Sequence, residues 1–451
     1  MKRKVLALLA GAMMLAAPAM AVENIPQVAT QAPAYNCDFE PSCEVAPGAY
    51  GKMSSPVTSK FNLSIGGFVR LDYTYNSQNL GLTGFILPAT LPRRGSAEDK
   101  QDQSQFSARV SRFWLKVAGP TFLGAKTNAL IEADFVGGGA AVNNETGTLR
   151  MRHAYGTLDW ANTQVMFGQF WDIFGPAAAS TIDFSQGASF GTPNNPRVAQ
   201  IRLTQKVNFN ADNFLKLVVG LQNPSQDVFN STTTTTTVPP AVTTTAVNVG
   251  GNVPNVAGQI MFVSKALGVG PGFYGMSLNA LQLGFFGLWG NQSGSNRDTD
   301  VYGYGAYAFV PLLKSTDGKS RAMTASLEAQ AYIASGMNWN GATAANLAGP
   351  AGRPAAKGYG VYGQLIFFPI QDLGITTGYE RRNAINYRSY GATAFEEYKD
   401  LIYANVSYDL NAAVRVSAEY SHAKAQFNAP TATAGDSGNN NAVRVAAYYF
   451  F

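Results

Sequence analysis

Apolar and polar residues alternate along much of the chain from Phe61 onward, in short segments that repeat many times. Residues 61–75 show the pattern most clearly, with an apolar set at odd positions and a polar set at even positions. Residues two apart on a β-strand share a face, so this period predicts strands with one apolar side and one polar side. Residues 441–451 alternate in the same way over about ten residues, the length of a tilted strand that crosses a bilayer.

The same test, applied along the whole chain, predicts sixteen strands and an all-β fold. The predicted strands are residues 61–75, 104–118, 121–136, 148–160, 163–171, 197–209, 213–222, 256–267, 275–290, 299–310, 321–335, 357–369, 372–381, 397–410, 412–424 and 441–451. The predicted number is even, as in bacterial outer-membrane barrels.

The connections between these strands alternate in length. Most links after even-numbered strands are short, such as Gly119-Pro120, Ala161-Asn162 and Asn411, and those after strands eight and ten are somewhat longer, whereas most links after odd-numbered strands are long. Short turns at one rim and long loops at the other are typical of outer-membrane barrels, with the long loops outside the cell. A soluble β-sandwich has no reason to separate its loops by length. Residues 61–451 are therefore predicted to form a sixteen-stranded antiparallel transmembrane β-barrel.

Composition supports a membrane barrel. The chain has 46 glycines, 21 tyrosines and 27 phenylalanines, and its hydrophobic residues are spread along it rather than clustered. No run of 18 or more apolar residues follows the first segment, which argues against a transmembrane helix. Only helices and closed barrels can span lipid, because backbone polar groups must be satisfied within the protein. We expect the apolar strand faces to meet lipid and the polar faces to line a lumen.

The first residues predict that the protein is exported from the cytoplasm. A basic start at residues 2–4 precedes an apolar segment at residues 5–20, which ends in an A-x-A cleavage pattern. Residues 1–21 are therefore predicted to be a secretory signal peptide, and the mature chain is expected in the bacterial outer membrane. Removing three of the 33 basic residues leaves 30 against 28 acidic ones, so nothing indicates a nucleic-acid partner.

Residues 22–60 form an irregular lead-in that contains Cys37 and Cys43, the only cysteines of the chain. In an oxidising periplasm two nearby cysteines predict a disulfide, and a metal site would need further ligands that this segment lacks. The lead-in is expected in the periplasm or inside the lumen. Residues 231–245 form a Thr/Pro tract, which is predicted to be exposed and mobile.

Residues 149–174 resemble part of the trimeric general porins, and most closely the branch with dicarboxylate-type and phosphate-selective members. The motifs are R-x-A-Y-G-x-L at residues 152–158 and F-G-Q-x-W at residues 167–171, with S-R-x-x-x-K at residues 111–116. The resemblance implies a homotrimer surrounded by outer-membrane lipid and lipopolysaccharide. It also implies that the third long loop, residues 172–196, folds into the barrel and narrows the pore. By position, its acidic residues would be Asp172 and Asp183, facing Arg112, Lys116 and Arg152 on the wall.

Strand parity gives a separate set of lumen charges. The predicted basic residues are Arg70, Arg112, Lys116, Arg150, Arg152, Arg202, Lys206 and Lys216, and the acidic ones are Asp72, Glu132, Asp134, Glu328, Glu380 and Glu419. Neighbouring cations in a narrow passage favour anions, although charges facing water can also be merely solvated. Arg109 and Arg112 have opposite parity, which a β-bulge would reconcile. His153 falls on the outward face.

No catalytic constellation, metal-ligand cluster or cofactor motif occurs in the sequence, and the protein is predicted not to be an enzyme. The favoured function is a porin for passive diffusion of small hydrophilic solutes, with a mild preference for anions. Two alternatives remain open. One is a porin specific for phosphate, sulfate or dicarboxylates, and the other is a barrel plugged by residues 22–60 that displays the Thr-rich loop.

Overall fold

The computed structural model describes residues 61–81, 84–87, 90–137, 145–188, 190–193, 197–223, 235–236, 242–243, 253–273, 277–294, 297–337, 355–386 and 396–451. The predictions made for residues 1–60, including Cys37 and Cys43, lie outside these residues, as does most of the Thr-rich tract. None of the described residues belongs to a helix long and apolar enough to span a membrane.

The alternating segments form β-strands. They are β1 (Asn62–Asn76), β2 (Gln103–Ser107), β3 (Arg112–Ala118), β4 (Lys126–Gly137), β5 (Thr148–Asp159), β6 (Thr163–Trp171), β7 (Arg197–Asn208), β8 (Asn213–Gln222), β9 (Thr235–Thr236), β10 (Val242–Thr243), β11 (Asn255–Pro271), β12 (Leu278–Gly294), β13 (Arg297–Leu313), β14 (Thr324–Ser335), β15 (Lys357–Ile370), β16 (Leu373–Ala384), β17 (Glu396–Asp409), β18 (Val414–Phe427) and β19 (Ser437–Phe450). The short strands β9 and β10 pair only with each other.

The remaining strands form one closed antiparallel sheet. Each strand pairs with its neighbours along the chain, and β1 closes the barrel by pairing with β19 from Phe68↔Phe450 to Asn76↔Ala442. Strands β2 and β3 pair with successive parts of β1 and together act as one strand of the wall. The wall therefore has sixteen strands, which confirms the predicted fold class.

The two faces of the wall differ as the alternation predicts. Large apolar side chains on the outer face are exposed, with Leu71 at 48% and Ile260 at 55%, while Arg70 and Asp72 point inward and are buried. An apolar exterior around a polar interior is the reverse of a soluble barrel and is the arrangement of a barrel that spans lipid.

The second wall strand is interrupted where the sequence predicted a parity conflict. Residues 108–111 leave the sheet between β2 and β3, and this break lets both Arg109 and Arg112 turn inward. The following turn is longer than the predicted Gly119-Pro120 link, because Phe122 and Ala125 exchange backbone hydrogen bonds of 2.9 Å before β4 begins.

The outward placement predicted for His153 is wrong. In the β4–β5 register Glu132 faces His153 and Ala133 faces Met151, so Arg152 is the extra residue of a bulge. One extra residue reverses the parity of the rest of the strand. Both Arg152 and His153 therefore point inward and are buried, and the His153 ring lies 4.9 Å from that of Phe170.

Strands β11 to β13 have largely apolar inward faces as well as apolar outward faces. Met261, Phe286 and Leu288 are buried inside the barrel, where they pack against Ile173 and Phe174 of the third long loop. The lumen is thus filled by apolar contacts on this side, and the alternation of polar and apolar residues is weakest there.

We expect a charge on the outer face to destabilise the barrel in proportion to its depth in the bilayer. Leu203 lies mid-strand on the outer face of β7, and Phe209 follows the same strand at the short-turn rim. Leu203→Arg should lower the free energy of unfolding in phospholipid vesicles by about 2–4 kcal/mol, and Phe209→Arg by about 0–1 kcal/mol. Denaturant titration followed by tryptophan fluorescence measures both, and equal effects would contradict a lipid-facing outer wall.

Candidate functional site

The third long loop lies inside the barrel, where the resemblance placed it. It leaves β6 and crosses to the far wall, where inward side chains accept hydrogen bonds from its backbone. The Ser180 amide donates to Gln364 Oε1 at 2.8 Å, the Ile182 amide to Glu419 Oε2 at 2.5 Å, and the Thr192 amide to Glu380 Oε2 at 2.9 Å. The loop is therefore held by the walls of β15, β16 and β18.

Asp183 forms the central contact of this loop. Its Oδ2 atom lies 2.9 Å from Arg444 Nη2 and accepts the backbone N–H of Leu87 at 2.9 Å. Leu87 belongs to the first long loop, which also enters the lumen and packs with Phe190 against apolar residues of β17 and β18. The Asp183 carboxylate thus joins two loops to the last wall strand.

The base of the loop is packed rather than charged. Phe174 lies with its ring 5.0 Å from that of Phe286, and a Cβ at Gly303 would stand 2.7 Å from the Phe174 ring. Only glycine leaves room for that approach. Asp172, next to this contact, accepts the Phe174 amide at 2.8 Å and Gln222 Nε2 at 2.7 Å. Burial raises the pKa of Asp172 to about 6.

A cavity of about 600 Å³ lies between the loop and the part of the wall formed by β17 to β19, β1, β3 and β5 to β7. Among the residues that the structure describes, its charged lining consists of six arginines and one acid: Arg70, Arg112, Arg150, Arg152, Arg197, Arg415 and Asp183. About half of the apolar lining residues are aromatic, and they come from both the wall and the loops. The charge that faces the cavity is therefore strongly positive.

Carboxylates on the same wall lie behind the arginines and do not line the cavity. Glu132 and Asp134 pair with Arg112, Arg150 and Arg152 on neighbouring strands. The distances are 2.5 Å for Arg70–Asp72, 3.6 Å for Arg112–Glu132, 2.7 Å for Arg150–Asp134, 2.5 Å for Arg152–Glu132, 2.8 Å for Arg152–Asp134 and 2.8 Å for Arg415–Asp409. These pairs hold the guanidinium groups in place.

Each cavity arginine also lies over an aromatic ring. The guanidinium-to-centroid distances are 5.0 Å for Arg70 on Tyr448, 5.3 Å for Arg112 on Phe68, 5.4 Å for Arg150 and for Arg152 on Phe184, 4.8 Å for Arg197 on Trp171 and 5.0 Å for Arg415 on Phe450. Cation–π contacts of this kind stabilise a guanidinium in a partly dehydrated site without neutralising it.

Comparison with solved structures identifies the fold. The chain is similar to the outer membrane channel DcaP of Acinetobacter baumannii, with 20% identity and a TM-score of 0.64 over 88% of this chain and 99% of that one. It has the outer-membrane porin fold. It is also similar to an anion-selective porin from Comamonas acidovorans, with 10% identity and a TM-score of 0.50 over 87% and 100% of the two chains. The chain matches no protein-family model and no curated protein.

The porin barrel brings five of the predicted site residues together at the cavity: Arg70, Arg112, Arg150, Arg152 and Asp183. Four others lie elsewhere. Lys116 covers the Trp114 ring, Arg202 covers Phe170 and Lys206 covers Phe214, all away from the cavity, and Asp172 is buried at the loop base. These residues miss the cavity because of their position along the barrel axis. The alternation of residues along a strand indicates which side chains point inward, but not the level at which the loop crosses the lumen.

Two cavity arginines of the porin barrel were absent from the predicted set. Arg415 lies four residues before Glu419, so its parity already indicated an inward side chain. Arg197 is the first residue of β7 and follows a loop, and at the end of a strand the alternation of residues is a poor indicator of which side chains point inward. The lining residues Ile86 and Leu87 come from the first long loop, for which the sequence carried no signal.

We expect Glu419 to restrain the loop. Its carboxylate accepts the amides of Ile182 and Asp183, at 2.5 and 3.2 Å, and lies 3.5 Å from Arg444. Glu419→Gln replaces one acceptor by a donor, which should raise hydrogen exchange of the 178–188 peptide by about tenfold. The control Asp159→Asn, at the opposite rim, should leave that peptide unchanged, and unchanged exchange in Glu419→Gln would refute the restraint.

Substitution of Asp172 should change the stability of the barrel in a way that depends on pH. The pKa of Asp172 is raised in the folded state from 3.8 to about 6, so its ionisation costs stability above that pH and the cost vanishes as pH falls towards the unfolded value. Asp172→Asn should therefore raise the free energy of unfolding by up to about 3 kcal/mol near pH 8 and by little near pH 4.

The matched variant Asp183→Asn should destabilise the barrel near pH 8, because it leaves Arg444 buried without its closest carboxylate. Urea titrations of both variants across this pH range give the comparison. Destabilisation by Asp172→Asn at neutral pH would contradict the role of burial at that site.

Proposed function

We propose that the protein is a porin of the bacterial outer membrane that lets small hydrophilic solutes diffuse through its lumen, with a preference for anions. The observation that carries the proposal is the cavity of about 600 Å³ whose charged lining is six arginines and one aspartate. Cations gathered in a narrow, partly dehydrated passage attract anions more strongly than the same cations in bulk water.

The proposed mechanism contains no reaction step. The anchored third loop sets the width of the passage, and the guanidinium groups set the sign of the charge along one side of it. Two neighbours in fold support the proposal by their descriptions, since one is called an outer membrane channel and the other an anion-selective porin. The protein is accordingly proposed to be a channel rather than an enzyme.

A porin specific for one class of anion is the second candidate. Two loops narrow the passage, since Leu87 of the first and Asp183 of the third both line the cavity. A volume of about 600 Å³ is also within the range of sites that hold a single small organic molecule. Phosphate, sulfate and dicarboxylates fit this chemistry. The plugged-barrel alternative depends on residues 22–60, which lie outside the described chain.

We also propose that the protein is a homotrimer in contact with lipid and lipopolysaccharide. The support is the resemblance of residues 149–174 to the trimeric general porins, together with the apolar outer wall. The mass of the protein in mild detergent, before and after heating, tests this assembly. A particle of one chain before heating would exclude the trimer and leave the channel proposal standing.

Planar-bilayer recording tests the channel proposal. We expect stepwise openings in groups of three and, under a potassium chloride gradient, a reversal potential on the anion side. Saturable reduction of the chloride current by inorganic phosphate, sulfate or succinate would favour the anion-specific candidate. A cation-side reversal potential would reject the arginine lining as the filter, and silence from folded protein would reject the porin.

A further inference from the structure

The six cavity arginines fall into two groups according to what neutralises them. Arg70, Arg112, Arg150, Arg152 and Arg415 each have a carboxylate within 4 Å on the wall behind them. Arg197 differs. Within the part of the chain that the structure describes, no carboxylate lies within ion-pair distance of its guanidinium group, and its close partner is the ring of Trp171 at 4.8 Å.

The position of Arg197 is built by the sheet. Trp171 ends β6 and Arg197 begins β7, and the two residues are direct partners in the antiparallel register. Both line the cavity, and Gln169 beside them lines it too. The Trp171 ring also lies 5.9 Å from the Arg152 guanidinium, so one indole supports two cations. Arg197 is thus fixed by cross-strand geometry at the root of the third long loop.

The local field around Arg197 is positive. Arg152, Arg150 and Arg112 act on it as like charges, and Asp134 is the opposing charge. That carboxylate already pairs with Arg150 and Arg152 at 2.7 and 2.8 Å. An anion beside Arg197 would therefore be attracted by several cations at once and would not have to displace a carboxylate from Arg197.

We propose that Arg197, supported by Trp171, is the anion-binding residue of the pore and takes a carboxylate or phosphate oxyanion of the passing solute. This inference rests on the proposed function and deepens it. The other five arginines supply a fixed positive wall. The guanidinium N–H groups of these five arginines already contact Asp72, Glu132, Asp134 and Asp409, so a solute must compete with those carboxylates. The guanidinium group of Arg197 can instead donate two parallel hydrogen bonds to one oxyanion.

Chloride currents carried by single channels test the assignment. Acetate and inorganic phosphate serve as separate probes, and the measured quantity is the probe concentration that halves the chloride conductance. Arg197→Gln should raise this concentration about tenfold, because a charge-assisted hydrogen-bonded contact is lost. Arg197→Lys keeps the positive charge but lacks the paired N–H donors of the guanidinium group, and it should give an intermediate halving concentration. An effect on both probes, or on phosphate alone, supports the site and defines which oxyanion it takes.

Two variants serve as controls. Arg202→Gln removes one inward cation of the same strand away from the cavity, where it covers Phe170, and should leave the halving concentration within about twofold of the parent. Arg150→Gln removes a cavity arginine that is already paired and should have a smaller effect than Arg197→Gln. Heat-modifiable migration on a gel verifies that each variant is folded.

The failures of the two proposals are distinguishable. Parent protein that folds but opens no channels would reject the porin itself. Channels that open normally, with equal block by both probes in the parent and in Arg197→Gln, would reject Arg197 alone. A larger effect of Arg150→Gln than of Arg197→Gln would also reject the assignment of Arg197, because anion binding would then depend on the arginines that are paired with carboxylates.

Discussion

The contact between Asp183 and Arg444 organises the interior of the barrel. Arg444 is almost fully buried and lies between Asp183 and Glu419, while the amide of Leu87 donates to the same aspartate. Buried ion pairs stabilise a structure only when further hydrogen bonds satisfy the charges. Here backbone amides of two loops donate to the carboxylates, and Arg444 Nη1 donates to Ser421 Oγ at 2.9 Å. This contact fixes the third long loop across the lumen, and the cavity lined by the other arginines lies beside it.

The same arrangement explains how a lumen that contains many acidic side chains can hold a positively charged cavity. Glu380 and Glu419 accept backbone amides of the loop, and Glu328 accepts hydrogen bonds from the wall residues Tyr307 and Gln364. Acids on the near wall lie behind their arginines. The charge that faces the cavity depends less on the number of positive and negative groups in the lumen than on how far each group projects from the wall. Asp183 is the acid that reaches this layer.

Strand number, closure and the faces of most strands followed from the alternation, because period two is imposed by the geometry of an extended backbone. The sequence could not reveal the extra residue at Arg152, which inverted the expected position of His153. The sequence also could not give the position of each inward charge along the barrel axis. This position decides why Arg150 lines the cavity and Lys206 does not. Arg197 was missed because its importance arises from the absence of a nearby carboxylate, and such a property depends on the positions of several strands at once.

The pairing of β1 with β19 has a consequence for how the protein reaches its native state. Asn440 Nδ2 donates to Asn76 Oδ1 across 364 residues of chain, and the backbones of Gly67 and Phe451 exchange hydrogen bonds of 3.0 and 3.1 Å. Contacts of such separation fold slowly, because the entropy of a very long loop must be lost before they form. Until then both sheet edges offer unpaired backbone groups to other chains. The nascent barrel is therefore expected to depend on chaperones and assembly factors that shield its edges until the seam closes.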